Sequence, residues 1–211
     1  LIEIHEFFIS SKKSFLLIVY DIFKKYRFIK MLKTVYFKEK YLSNKECEQI
    51  INLSKEIKKK DASFYFNDKK NKYRSSKVKF LVKNEKFRFI YKKLKSDIQK
   101  INKKYFGFNL MQISNIQLSE YSYLNKGEYK THQDVMWLKQ KYHRKLTIII
   151  QLSENDEYTG GDLYIDGLSK NHLKKKGTLI VFPSFFYHSV GRVLSGERLS
   201  LVAWYSGKLW K

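Results

Sequence analysis

The chain has 211 residues, 43% of them hydrophobic and 17% aromatic, one cysteine and a formal charge of +23. It is long enough for one domain with a sizeable core and too hydrophobic to be disordered. A single thiol excludes an internal disulfide framework and a zinc site built from cysteines. The charge does not by itself argue for nucleic acid. Of the 43 basic residues 37 are lysine, spread along the chain and accompanied by the Ile, Asn, Phe and Tyr that an AT-rich genome encodes. Weak, non-specific binding to polyanions is expected either way. Cys47 reads as a small buried hydrophobe on a helix, and an intracellular, cytoplasmic protein is expected.

Residues 1–30 hold an apolar centre, FLLIVYDIF, that contains Asp21 and is too short for a membrane span, and no small-residue cleavage site follows it. They are expected to be a dispensable extension, with the domain running from Met31 to residue 211 and no membrane segment. TVYF predicts a strand. YLSNKECEQIINLSKEIKKK predicts a helix, with Ser43 as N-cap, Glu46 completing a capping box and apolar residues at 47, 50, 51 and 53 on one face. DASFYFN and SKVKFLV read as strands. NEKFRFIYKKLKSDIQKINKKYF reads as a second amphipathic helix, its buried stripe Phe87, Ile90, Tyr91, Leu94, Ile98 and Ile101.

Beyond Gly107 come seven or eight short β-branched and aromatic runs: MQISNIQLSEY, EYKTHQD, KLTIIIQLSE, GGDLYIDG, GTLIVF, FYHSVGRV and RLSLVAWYSG. Helices first and strands afterwards predict a mainly β fold, a double-stranded β-helix (jelly roll) core buttressed by N-terminal α-helices. Gly160 and Gly161 mark a tight turn, and Pro183 ends GTLIVF. His5, His143 and His172, in polar or basic surroundings, are expected at the surface.

The chemistry centres on THQDVMW. In an extended chain residues i and i+2 share a side, so His132 and Asp134 can reach one cation, although the spacing alone is also that of an ordinary polar strand end. His188 lies in FFYHSV, where a lone histidine would usually be a core residue. Ten residues later Arg198 stands in GERLSLVAW, a strand otherwise suited to burial. A buried guanidinium stays charged and needs an anion. Two imidazoles and one carboxylate with open positions suit non-haem Fe(II), and an arginine can hold the distal carboxylate of 2-oxoglutarate.

The order HxD, YTGGDLYI, then FPSFFYHSVGRVLSGER, resembles the Fe(II)/2-oxoglutarate dioxygenases of the prolyl 4-hydroxylase type across residues 31–207. The resemblance implies His132, Asp134 and His188 as iron ligands and catalytic centre, and Arg198 as the 2-oxoglutarate anchor. A strand tyrosine, Tyr121 in preference to Tyr123, together with Tyr129 and Gln151, is implied at the co-substrate. Trp204 and Arg74, with Ser76 in YRSS, are implied at the substrate. It further implies O2 as oxidant, L-ascorbic acid as reductant, and hydroxylation of an unactivated C–H with release of succinate and CO2. A peptidyl proline is the expected target, approached past Tyr73, Tyr123 and Trp137. The alternatives are a nucleic-acid dioxygenase, disfavoured because Trp204 stands where that group carries a second arginine, a small-metabolite dioxygenase, or a non-catalytic basic binding module on the same fold.

Overall fold

A computed structural model describes residues 35–62, 73–135, 141–166, 168–169 and 171–210. The expected boundary near residue 30, most of the DASFYFN strand, and Trp137 lie outside the described residues, as do His5 and the side chain of His172. The described chain opens with β1 (Tyr36–Lys38), α1 (Asn44–Leu53), β2 (Lys60–Asp61), β3 (Arg74–Ser75), β4 (Lys77–Leu81) and α2 (Arg88–Tyr105). There follow β5 (Gln112–Ile113), β6 (Ile116–Ser122), a 3-10 turn at Tyr123–Asn125, β7 (Glu128–His132), β8 (His143–Gln151) and β9 (Tyr158–Gly160). The last elements are β10 (Leu163–Ile165), β11 (Leu168–Ser169), a 3-10 turn at Asn171–Lys174, β12 (Leu179–Pro183), β13 (His188–Val190) and β14 (Val193–Gly207). Among the described residues no helix is long and apolar enough to cross a membrane.

The strands form two antiparallel sheets. The larger runs β1-β12-β8-β14-β6-β4-β2, with β5 and β9 paired to β14, and the smaller runs β11-β10-β13-β7-β3. Side chains alternate across each strand of the larger sheet. Leu146, Ile148 and Ile150 of β8, Leu201, Ala203 and Tyr205 of β14, and Ile116 and Leu118 of β6 pack against α1 and α2. Ile149, Ile180 and Phe182 point the other way, into a second core with Leu163, Ile165 and Val190 of the smaller sheet. The helices therefore cover one face and the second sheet covers the other, which is why these strands read as continuous apolar runs. The jelly-roll architecture with helical buttresses is present.

Local chemistry sets the helix limits. Ser43 and Glu46 form the expected capping box. Burial pushes the Cys47 thiol on α1 up to about 11. α1 ends at Leu53 instead of continuing to Lys60, because Ser54 Oγ donates to the Ile51 carbonyl and buried Lys79 Nζ donates to the Ser54 carbonyl. Those side chains supply partners that a further helical turn would otherwise have provided. The stripe of α2 is buried as read from the sequence, with Phe87 at the cap position just before it.

One surface expectation is overturned. His143 is 6% exposed, because it opens β8 opposite Gly207 and its Nδ1 accepts the backbone N–H of Trp210. Lys145, two residues along β8, is buried with it and its Nζ lies 3.3 Å from the centre of the Trp210 ring, so strand pairing, not local composition, decides its environment. The short strands β3, β9 and β11 carry no periodic signal of their own and exist through pairing with longer partners.

Candidate active site

β13 pairs with β7 so that His188 lies directly opposite His132, with ring centroids 4.1 Å apart. Asp134 sits two residues beyond His132, past the end of β7, where the Ser184 carbonyl accepts its backbone N–H at 2.9 Å. One ligand atom from each of His132, Asp134 and His188 falls within 4.8 Å of the others, and all three residues are buried.

Each ring is oriented from behind. His132 Nδ1 lies 2.7 Å from the Lys130 carbonyl and His188 Nδ1 3.0 Å from the Phe186 carbonyl. A carbonyl only accepts, so both Nδ1 atoms carry a proton and both Nε2 atoms face inward, toward Asp134. Those Nε2 atoms stand 3.6 and 3.3 Å from the two Asp134 oxygens. Thr147 Oγ1 donates to Asp134 Oδ2 at 2.8 Å and fixes the carboxylate.

The charges follow from this packing. Burial alone would raise the Asp134 pKa, but His188 and then His132 outweigh it and hold the carboxyl well below its usual range. Burial lowers His132. It would lower His188 too, but the Asp134 carboxylate wins and raises it. Neutral imidazoles would aim lone pairs at an ionised carboxylate, a cluster that a proton or a cation must bridge. Two nitrogens and one carboxylate on one side suit a six-coordinate first-row metal with positions left open, so the donor set fits Fe(II).

The cavity beside the cluster is lined by both strand faces, including Tyr121, Tyr129, Ile149, Leu163, Arg198 and Trp204. Arg198 is 1% exposed. It donates from Nη2 to Gln151 Oε1 at 3.0 Å and from Nη1 to Ser200 Oγ at 3.3 Å, whereas its Nε has no partner. No acidic group among the described residues pairs with it. A buried guanidinium held only by neutral oxygens, with one N–H unmet, is a fit for a carboxylate brought in from outside. Gly161, at φ 60°, lets the chain pass close: a Cβ there would stand 3.1 Å from Arg198 Cδ. Gly160, at φ 70°, completes the expected tight turn.

The other expected residues divide. Tyr121 is buried on the cavity wall opposite Arg198 on β14, while Tyr123 is half-exposed on the 3-10 turn. Tyr129 stacks on His132 with centroids 3.6 Å apart, and burial raises its phenol far above the usual value. Gln151 lies behind Arg198 and is not on the cavity wall. Trp204 lines the cavity, with Arg144 stacked 3.8 Å over its ring. Arg74 is buried, reaches the cavity and donates to Ser76. The residues that sequence reasoning missed are Thr147 and Ser184, which fix Asp134. The signal for Thr147 was a hydroxyl in TIIIQ at the same alternation as Gln151.

The family model of the 2OG-Fe(II) oxygenase superfamily matches residues 116–206. A PKHD-type hydroxylase of Prochlorococcus marinus (strain MIT 9215) is 44% identical over 61 residues, a stretch that covers 28% of this chain and 28% of that relative. The viral collagen prolyl hydroxylase from Paramecium bursaria Chlorella virus-1 shares the fold at a TM-score of 0.64 and 19% identity, over 83% of this chain and 97% of that one. So does the Trichoplax adhaerens prolyl hydroxylase solved with a hypoxia inducible factor peptide fragment, at a TM-score of 0.67 and 17% identity, over 85% and 87%. The family match spans less than half of the chain, the Prochlorococcus relative is matched over 28% of its length, and the solved structures show that the chain has the fold of these prolyl hydroxylases.

Proposed function

We propose that this protein is an Fe(II)- and 2-oxoglutarate-dependent dioxygenase that hydroxylates an unactivated C–H bond, a peptidyl proline first among the targets. The observation that carries the reading is the buried, acid-free Arg198 on the same cavity as the His132, Asp134 and His188 cluster. The balance is one substrate C–H, one O2 and one 2-oxoglutarate giving the alcohol, succinate and CO2. Bound iron supplies the activation of O2 that no side chain provides.

The chain's own residues do the rest. His132, Asp134 and His188 would hold the metal, their orientation set by the Lys130 and Phe186 carbonyls and by Thr147. Arg198 binds the distal carboxylate of 2-oxoglutarate, and Gln151 acts through it by accepting from Nη2. Tyr121 walls the co-substrate in, and Ile149, Leu163 and Val202 exclude water. Asp134 stays ionised and contributes charge, not a proton.

A peptide substrate is supported by the half-exposed Tyr73 next to Arg74, which offers an apolar ring to an extended chain. Two prolyl hydroxylases with this fold point the same way, one solved with a peptide. Ascorbate as reductant belongs to the same reading, as does weak contact with polyanions. An intracellular setting fits the one free, buried thiol of Cys47. The test is succinate formation dependent on Fe(II) and 2-oxoglutarate, with mass spectrometry for a gain of one oxygen (about 16 Da) on proline peptides, free amino acids and oligonucleotides. Protein that never consumes 2-oxoglutarate overturns the enzyme. Stimulation by an oligonucleotide alone overturns the peptide.

A further inference from the structure

The cavity holds a second buried guanidinium that the reaction above leaves without an anion. Arg74 is 7% exposed. Its Nε donates to Ser76 Oγ at 2.7 Å and its Nη2 to Ser119 Oγ at 3.3 Å, and Nη1 makes no hydrogen bond among the described residues. No carboxylate among them pairs with it. Its Cζ lies 4.6 Å from the centre of the Tyr129 ring, and Tyr129 stacks in turn on His132. Arg74 and Arg198 also flank one ring, that of Tyr121, at 6.0 and 5.4 Å. Two like charges around one phenol, both removed from water, repel each other and are each costly without a counter-charge.

The proposed reaction accounts for one of them. The distal carboxylate of 2-oxoglutarate neutralises Arg198, and the other carboxylate goes to the metal. Among the described residues the only buried acid on the cavity is Asp134, which the imidazoles and Thr147 already claim. Arg74 is also tied to the metal cluster through a single intervening ring, and both line the same cavity. Neutral hydroxyls hold Nε and Nη2 while Nη1 is left over, an arrangement that pre-orients a guanidinium without satisfying its charge.

We infer that Arg74 is the receptor for a carboxylate carried by the substrate, which makes that substrate an acid: a peptide with an acidic side chain next to the target, or a chain or amino acid with a free carboxyl end. The inference rests on the dioxygenase reading and narrows it. The test is equilibrium binding under anaerobic conditions to the full chain loaded with Fe(II) and 2-oxoglutarate. Its probes are paired: short proline peptides with a free or amidated C-terminus, the same peptides with Glu or Gln beside proline, and L-proline against L-prolinamide. In at least one pair the acid binds tighter than its amide by about 10- to 100-fold. The pair that responds identifies the source of the carboxylate. In Arg74→Gln that preference falls to within about threefold, and Arg74→Lys retains part of it. A wild-type protein for which no acid binds tighter than its amide overturns the inference. So does an Arg74→Gln variant that loses 2-oxoglutarate affinity, because the guanidinium then belongs to the co-substrate. Absence of any 2-oxoglutarate turnover in the wild type is a different result and sinks the enzyme reading instead.

Discussion

On β14 the residues Leu199, Leu201, Ala203 and Tyr205 meet the helices, whereas Arg198, Ser200, Val202 and Trp204 line the cavity. The same division runs along β8, with Leu146, Ile148 and Ile150 on one face and Thr147, Ile149 and Gln151 on the other. The helix face is apolar and closely packed. The cavity face carries buried groups with open valences: Arg198 Nε, Gln151 Nε2 and Trp204 Nε1 lack partners. Around the site, the helix side of the sheet supplies packing and the cavity side supplies polar groups set among the second core. Those unpartnered groups are costly until ligands arrive.

The sharpest way to test that division is at the ligands. His132→Ala, Asp134→Ala and His188→Ala each abolish Fe(II) binding and succinate formation, read by metal analysis and by 2-oxoglutarate turnover. Turnover at the wild-type level in any two would remove the cluster from the reaction. On the helix face, Ile148→Ala lowers unfolding stability by about 2–5 kcal/mol in denaturant titration while 2-oxoglutarate affinity of the folded protein holds. An equal loss of affinity would mean that the two faces are not separable.

Arg198 reverses the pattern. Arg198→Ala weakens 2-oxoglutarate binding by roughly 30- to 1000-fold, about 2–4 kcal/mol, and Arg198→Lys by less. In the metal-free protein Arg198→Met raises stability by on the order of 1 kcal/mol, because it removes an unpaired buried charge. A destabilised Arg198→Met would show that the cavity face also supports the fold. The smallest effect lies at the start of α1. Ser43→Ala costs about 0.5–1 kcal/mol. The Ser43 backbone N–H lowers the Glu46 carboxyl pKa, so the Glu46 contribution is full above about 4.5 and is lost as pH falls through the lower folded value. At this mostly exposed site it amounts to a few tenths of a kcal/mol. Acid titration of Glu46→Gln should lack that component.

Much of this was readable from the chain. The α2 stripe follows from period 3.6, the capping box from Ser43 and Glu46, and the sheet from β-branched runs. HxD, the distal histidine and Arg198 were readable as a set because each residue type is hard to explain in a strand without its partners. Other features depend on which strands meet. Asp134 reaches His188 because Ser184 and Thr147, distant in sequence, hold it. Whether Gln151 faces the cavity or backs Arg198 is settled by register and not by type. The burial of His143 comes from its pairing with Gly207. The burial of Arg74, on a two-residue strand, comes from pairing with Tyr129.

The pairing of His188 with His132, and of the 15-residue β14 with β8, β6, β5 and β9, has a kinetic consequence. The pairings of His188 with His132 and of Arg198 with Tyr121 join segments far apart in sequence, and closing such loops is slow. The helices and the early strands can form locally, but the three ligands converge only when β13 pairs with β7 and β8 brings Thr147 to Asp134. Metal capture therefore reports the pairing of β7 with β13, and 2-oxoglutarate binding through Arg198 reports the later insertion of β14.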